Sequence, residues 1–374
     1  MAGETVLKPD LQFVKRIMAS GGDTVKKCYQ CDTCSVVCNP TPDAKPFPRK
    51  EMHLAQWGLS EVLQDPDIWL CHQCSDCTIY CPRGAKPGEV MNVLRKLCIE
   101  KYAAIPKLAQ MVGDLKSLPL LIAFPVVVLF LAALLGGNLF PGGGEVVFHK
   151  MFPTLLIDAI FVPVAVFAVF CFFKGVTAYW KDLNEGSPWK VRLSGSLMGS
   201  LVATITEILT HTKFKLCETT VKRSNNHLYL LFGFIFLAVT TGLAFFYEWV
   251  LHQDSPYSLF GAGAPIKLFA IVGTVGLIWG IWNILRERQA NAEKAGYGTY
   301  YDWLLIYVVF AVGATGLLSW LLRLLGIGLL AYPVYFIHLS SVFFLFFYAP
   351  YTKMAHFVYR TVAMLYARMS DRGF

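Results

Sequence analysis

The chain has 374 residues, 55% of them apolar and only 16% charged, with a mean hydropathy of +0.50. An average soluble domain is about a quarter charged, so this composition excludes an all-soluble protein. The formal net charge of +8 comes without a basic, aromatic-interleaved patch, which argues against a nucleic-acid partner and for orientation charge on a membrane protein.

Residues 1–117 read as an ordinary, nearly neutral soluble domain. Met1 to Lys27 shows no apolar core, small-residue cleavage site or twin-arginine signal, so this domain is expected to stay in the reducing cytoplasm. Residues 5–20 carry a short helical pattern through Leu7, Leu11, Val14 and Ile17 that breaks at Gly21-Gly22. Residues 47–70 predict a helical pair, Arg49 to Trp57 and a second helix capped by Ser60. Residues 87–104 predict an amphipathic helix with Val90, Val93, Leu94, Leu97 and Cys98 on one side.

Eight of the eleven cysteines fall into two copies of one spacing, Cys28-x2-Cys31-x2-Cys34-x3-Cys38 and Cys71-x2-Cys74-x2-Cys77-x3-Cys81-Pro82. In the reducing cytoplasm such packing means metal chemistry rather than disulfides. The first three thiolates of each run bind different irons of one [4Fe–4S] cubane, and the fourth reaches the other cluster. One cluster is therefore expected on Cys28, Cys31, Cys34 and Cys81, and the other on Cys71, Cys74, Cys77 and Cys38. Zinc is the competing occupant. The first run departs from the pattern in Cys38-Asn39-Pro40, where proline comes one place late. Cys98 and Cys171 read as packing residues, whereas Cys217, among charges, keeps a redox or structural alternative.

Six apolar segments of bilayer length follow, at about 118–136, 154–174, 227–250, 265–285, 300–322 and 329–351. Pro125, Pro163 and Pro333 lie in or near spans, and Gly142-Gly143-Gly144 belongs to the loop after the first. With the cluster domain inside, Lys181, Lys190, Arg192, Arg223, Lys294 and Lys353 fall on the inner side and only Lys150, Lys267 and Arg323 on the outer, a positive-inside bias. The inner segment 190–216 is expected to hold an amphipathic helix on the membrane surface. Residues 118–374 are thus expected to be the transmembrane domain, and the whole chain all-α: a helical two-cluster ferredoxin-like domain fused to a six-helix transmembrane cytochrome b bundle.

His338 and His356 are eighteen residues apart, which on a continuous helix is five turns and roughly 27 Å, one face and nearly one hydrocarbon thickness. That suits two haems b, one near each surface, held by histidine pairs inside the bundle. His227, at the inner end of the third span, pairs with His356. For the outer haem His338 takes His149, with His252 as the alternative, and either could equally be a loop histidine. His211 reads as a surface residue, and His53 and His72 belong to the soluble domain. A chain joining such haems to clusters must meet a lipid-soluble carrier, by default a quinone. Asp158 and Lys267, at membrane depth toward the outer side, are the candidate quinone and proton residues, with a salt bridge or a snorkelling lysine as the alternative; Glu248 is a weaker candidate.

Both parts resemble known families. Residues 25–105, with Pro48-Arg49-Lys50, Trp69-Leu70-Cys71 and Cys81-Pro82-Arg83-Gly84, resemble the small iron–sulfur subunit of heterodisulfide reductase. Residues 150–372 resemble the haem b subunit of that enzyme, and also the gamma subunit of respiratory nitrate reductase, where histidines eighteen apart on the last helix bind two haems. His338 and His356 match them, and His227 matches the inner ligand. The second histidine usual ten residues later is Leu237 here. The fusion resembles the C subunits of quinone-interacting membrane-bound oxidoreductase complexes of sulfate reducers. That resemblance implies menaquinone, two soluble flavin and iron–sulfur subunits resembling the A subunit of heterodisulfide reductase, and an electron link to adenylylsulfate reductase. The expectation is a prokaryotic inner-membrane oxidoreductase subunit with no terminal substrate site of its own, since Gly-x-Gly-x-x-Gly, Walker and Cys-Cys-Gly motifs are absent. The competitors are a membrane subunit of another heterodisulfide-reductase-like complex and a non-redox membrane protein with a zinc domain.

Overall fold

The computed structural model describes residues 8–372 apart from 140, 142–144, 187–192, 220, 254–256, 258–259, 262, 371 and the Lys294 side chain. The stretch before Lys8, glycines 142–144, Lys190, Arg192 and the Lys294 side chain therefore lie outside the described residues. Every regular element among the described residues is helical.

The cluster domain runs through α1 (Leu11–Ile17), α2 (Thr33–Val36), α3 (Arg49–Gln56), α4 (Asp67–Leu70), α5 (Asp76–Ile79), α6 (Pro87–Tyr102) and α7 (Pro106–Val112). α1 begins where the Asp10 carboxylate accepts from the Gln12 and Phe13 amides at 2.8 and 3.1 Å, a side-chain N-cap. The second helix expected after Gly58 is only a 3-10 turn, Ser60–Gln64, capped by Leu59 without a side-chain bond. Met91 and Leu94 of α6 pack with Ile17, Met52, Val62 and Trp69 in one buried core.

The membrane part comprises α8 (Leu118–Gly136), α9 (Thr154–Lys181), α10 (Leu197–Thr210), α11 (Val221–Trp249), α12 (Ala264–Ala290), α13 (Ala292–Ala295), α14 (Tyr300–Leu324), α15 (Gly328–Phe347) and α16 (His356–Met369). Among them α8, α9, α11, α12, α14 and α15 are the six helices long and apolar enough to cross a bilayer. Pro125, Pro163 and Pro333 all sit inside them. α11 and α12 pack most extensively, and two glycines show why. A Cβ on Gly233 would lie 2.6 Å from the Leu277 nitrogen, and one on Gly280 2.7 Å from the Leu230 nitrogen, so only glycine lets the backbones approach this closely.

The last span does not continue to His356. α15 stops at Phe347, two 3-10 turns follow (Ala349–Tyr351 and Lys353–Ala355), and Thr352 between them is extended at ψ 175°. Pro350 has no N–H to carry the helical ladder on. The continuous-helix separation of His338 and His356 therefore does not apply.

The cluster domain and the bundle share one core. Trp69 stacks on Tyr359 of α16 at 5.3 Å, and Tyr102 packs on Tyr179 of α9 at 5.1 Å. Beneath them lies a buried ionic group in which Lys50 meets Asp65 and Asp67, each at 2.7 Å, and Glu51 at 3.3 Å. Arg372, from the chain's far end, meets Asp67 at 2.6 Å. Burial pushes the Glu51 carboxyl up to about 8 and that of Asp65 to about 6, against the pull of Lys50.

Candidate functional site

The two cysteine loops share a conformation. Gln30 and Asp32 have φ of 60° and 70°, and their counterparts Gln73 and Ser75 have 54° and 73°, so each loop curls around its second cysteine through left-handed residues. Cys38 does not stay with its own run. It lines a small cavity together with Cys71, Cys74 and Cys77. Burial and the neighbouring Cys71 and Cys74 sulfurs push the Cys38 thiol up, while burial and the nearby Cys28 and Cys81 sulfurs push Cys34 to about 12. The structure thus brings Cys38 to the cysteines of the second run and Cys81 near those of the first. The Cys28 group lies toward solvent, with Cys31 exposed; Cys71, Cys74 and Cys77 are buried.

Three guanidinium groups hold the second loop, Arg95 from α6 of the cluster domain and Arg223 and Arg360 from α11 and α16 of the membrane part. Arg95 donates to the Ile68 carbonyl at 2.7 Å and also to that of Cys71. Arg360 donates to the Trp69 and Cys71 carbonyls at 2.7 and 2.9 Å, and Arg223 to the Gln73 carbonyl at 2.9 Å. None of the three has a carboxylate partner among the described residues. Three uncompensated cations around buried cysteines favour an anionic occupant, as a thiolate-bound cluster is. Arg360 also donates to His72 Nε2 at 2.6 Å, which leaves the hydrogen on His72 Nδ1, a buried atom with no partner among the described residues.

Next to this loop a cavity of about 1370 Å³ opens between α11, α12, α14, α15 and α16. It exceeds the roughly 300–1,000 Å³ typical of a single small-ligand pocket. Cys71, His72, Gln73 and Ser75 line both cavities, so the small one adjoins the large one. Besides His72, the large cavity is lined by His211, His227, His338 and His356. His227 and His356 face each other with ring centroids 6.2 Å apart. Two imidazoles that ligate one metal at about 2 Å per nitrogen set their centroids at about this separation. His356 Nδ1 donates to the Lys353 carbonyl at 2.7 Å, and burial holds its pKa down to about 4, so the ring is neutral with Nε2 bare. His338 Nδ1 lies 3.2 Å from the Val312 carbonyl, which likewise makes Nδ1 its donor. Gly316 leaves room for that ring, since a Cβ there would come within 2.9 Å of His338 Cε1. The donor set, the separation and the volume fit iron porphyrin held by imidazole.

Two family models match the chain: a 4Fe-4S dicluster domain over residues 24–85, and citrate utilization protein B over residues 104–373. The chain belongs to the citrate utilization protein B family. The Escherichia coli citrate utilization protein B is 25% identical over 363 residues, covering 90% of this chain and 88% of that one. The cluster domain of this family member is also similar to iron–sulfur subunits of heterodisulfide reductases. The C subunit of the H(2):CoB-CoM heterodisulfide,ferredoxin reductase of Methanothermobacter marburgensis is 36% identical over 88 residues, 23% of this chain and 47% of that one. The second iron-sulfur C subunit of the CoB--CoM heterodisulfide reductase of Methanocaldococcus jannaschii is 36% identical over 78 residues, 21% of this chain and 42% of that one. The matches thus span less than half the length of these two relatives.

Other expected residues of this citrate utilization protein B family member lie elsewhere. His149 is exposed on the turn Phe148–Lys150 and His252 is exposed beyond α11; neither lines the cavity that His338 enters. Asp158 accepts from the Trp249 indole at 2.8 Å, whereas Lys267 lies near Arg323, and the structure shows no contact between Asp158 and Lys267. His53 is in the soluble domain, stacked obliquely on Trp57. Cys98 accepts from the Trp69 indole and Cys171 from the Tyr351 hydroxyl, both buried packing positions.

One residue differs from expectation and one had been left open. His211 is not on the surface: it is 8% exposed and bonded to His227 at 2.8 Å. Cys217 is fully buried, and its sulfur, that of Cys74 and an Asp76 oxygen lie within 4.8 Å of one another. Asp76 fastens that segment by accepting the Glu218 and Thr219 amides at 3.1 and 3.0 Å.

Proposed function

We propose that this chain is a membrane electron-transfer subunit that exchanges electrons between a quinone in the bilayer and soluble flavin and iron–sulfur partners. The observation that carries this reading is the adjacency of two cavities, one lined by cluster cysteines and the other by the histidines of the bundle, joined at Cys71. Bound [4Fe–4S] clusters and haems b supply the one-electron steps, with quinone chemistry adding protons. Cys28, Cys31, Cys34 and Cys81 hold one cluster; Cys71, Cys74, Cys77 and Cys38 hold the other. His227 and His356 ligate the haem nearer the clusters, and His338 ligates the second. The exposed Cys31 group, flanked by Tyr29 and Val36 at 68% and 80% exposure, is where a soluble partner reaches the chain. The positive-inside bias supports a cytoplasmic side for this end, and the membrane is that of a prokaryote in this reading. Asp158, at the outer end of α9, handles the quinone's proton; Lys267, apart from it, is the lesser candidate.

Two settings share this chemistry. Likeness to heterodisulfide reductase subunits favours partners resembling the A subunit of that enzyme, menaquinone as carrier and a link to adenylylsulfate reductase. Likeness over nearly the whole chain to a protein named for citrate utilization favours electron transfer in that process instead. Proteins co-purifying with the native chain separate the two. The shared claim is tested by mixing oxidised chain with menaquinol. Absorbance at the haem bands should change to the reduced form, more slowly in Asp158→Asn. No change removes the quinone, and an unchanged rate in the variant removes Asp158.

A further inference from the structure

His211 ends α10 in the left-handed region, at φ 55° and ψ 32°, where glycine is the usual occupant. The turn is tied down around it. The Glu207 carboxylate accepts the Lys213 amide at 2.7 Å and the Thr212 hydroxyl, and the His211 amide donates to the Glu207 carbonyl at 2.8 Å. A β-substituted residue held in that conformation beside a large cavity calls for a reason beyond capping.

The hydrogen-bond chain supplies one. His211 Nδ1 lies 2.6 Å from the Ile208 carbonyl, which can only accept, so Nδ1 carries the hydrogen. A neutral imidazole has one N–H, so His211 Nε2 is an acceptor. Its partner, 2.8 Å away, is His227 Nδ1, which must therefore donate. His227 is left with its hydrogen on Nδ1 and a bare Nε2. His356 reaches the same tautomer through the Lys353 carbonyl.

We propose that His211 is a positioning residue: by accepting the Nδ1 hydrogen of His227 it fixes the ring and tautomer in which His227 Nε2 is free to ligate iron opposite His356. This rests on the reading that haem occupies the cavity. Such outer partners orient ligating histidines and raise their basicity, and their loss typically costs roughly 10–100-fold in metal affinity. His211 thus does for His227 what a backbone carbonyl does for His356.

The test compares His211→Gly, His211→Gln and His227→Leu in the full chain, reading haem affinity, coordination state from the optical and EPR spectra, and midpoint potential. Glycine suits the left-handed backbone, so the fold should persist and the clusters remain. Haem near His356 should then bind about 10–100-fold more weakly, with altered low-spin g-values and a higher midpoint potential, because the ligand is less basic. Gln offers a carbonyl oxygen to His227 and should restore much of the wild-type signature. A His211→Gly spectrum, affinity and potential equal to wild type would overturn the proposal. So would a six-coordinate haem in His227→Leu together with a five-coordinate one in His211→Gly, since that would make His211 the ligand. Wild-type chain devoid of haem would instead refute the cytochrome reading on which the proposal stands.

Discussion

Glu51 links pH to stability in a direction the structure fixes. Its side chain is fully buried, and Lys50, Asp65, Asp67, Arg372 and Lys45 are charged groups of the same cluster. Desolvation outweighs the attraction of Lys50 and raises its pKa from the ordinary 4.5 to about 8. The folded chain then keeps this proton to higher pH than the unfolded chain does. The stabilisation is fully present below about 4.5 and is lost as pH rises through about 8. At about 1.36 kcal/mol per pKa unit the swing is on the order of 4–5 kcal/mol, and Asp65, raised to about 6, adds in the same direction. Glu51→Gln mimics the neutral acid. Thermal midpoints of detergent-solubilised wild type and variant, at one scan rate, should nearly coincide at pH 5 and diverge by pH 8.5, with the variant higher. Parallel curves, or a variant less stable at pH 8.5, would refute the reasoning.

Because Cys38 lines the cavity of the other run, the cluster surviving in Cys38→Ala should be spectroscopically that of Cys71→Ala, not that of Cys34→Ala; the opposite match would refute the crossing. His338→Leu should remove one haem signal while the His227–His356 signal persists, and loss of both or neither would contradict the assignment. Gly233→Leu places a side chain against the Leu277 backbone at 2.6 Å, so α11 and α12 must part, at a cost of about 1–3 kcal/mol or more. A lowered thermal midpoint with intact clusters is expected.

What could be read from the sequence was local or periodic. The repeated cysteine spacing showed that the two loops are alike, and each makes the same left-handed turns around its second cysteine. The six spans follow from hydropathy, and their observed ends differ from expectation mainly where polar residues extend a helix past the bilayer, as α9 does to Lys181. The break before His356 carried a signal in Pro350, but the eighteen-residue histidine spacing invited a continuous helix. His211 and Cys217 were misjudged or left open because both depend on contacts between distant segments. His211 meets His227 across the turn after α10, and Cys217 meets Cys74 through the Asp76 clasp. A histidine where a helix ends is a weak hint of such a role. The outer haem's expected partner, His149, was preferred to His252 only by its place before the second span, and the structure leaves it exposed and not among the residues lining the cavity.

The account stands on iron held by sulfur at one end of the chain and by imidazole at the other. Iron, acid-labile sulfide and porphyrin assayed together on the purified chain test both at once. A brown-red protein with matching iron and sulfide, and a haem b spectrum on dithionite reduction, is the predicted result. A colourless chain that contains zinc, or one that lacks porphyrin or sulfide, would contradict it.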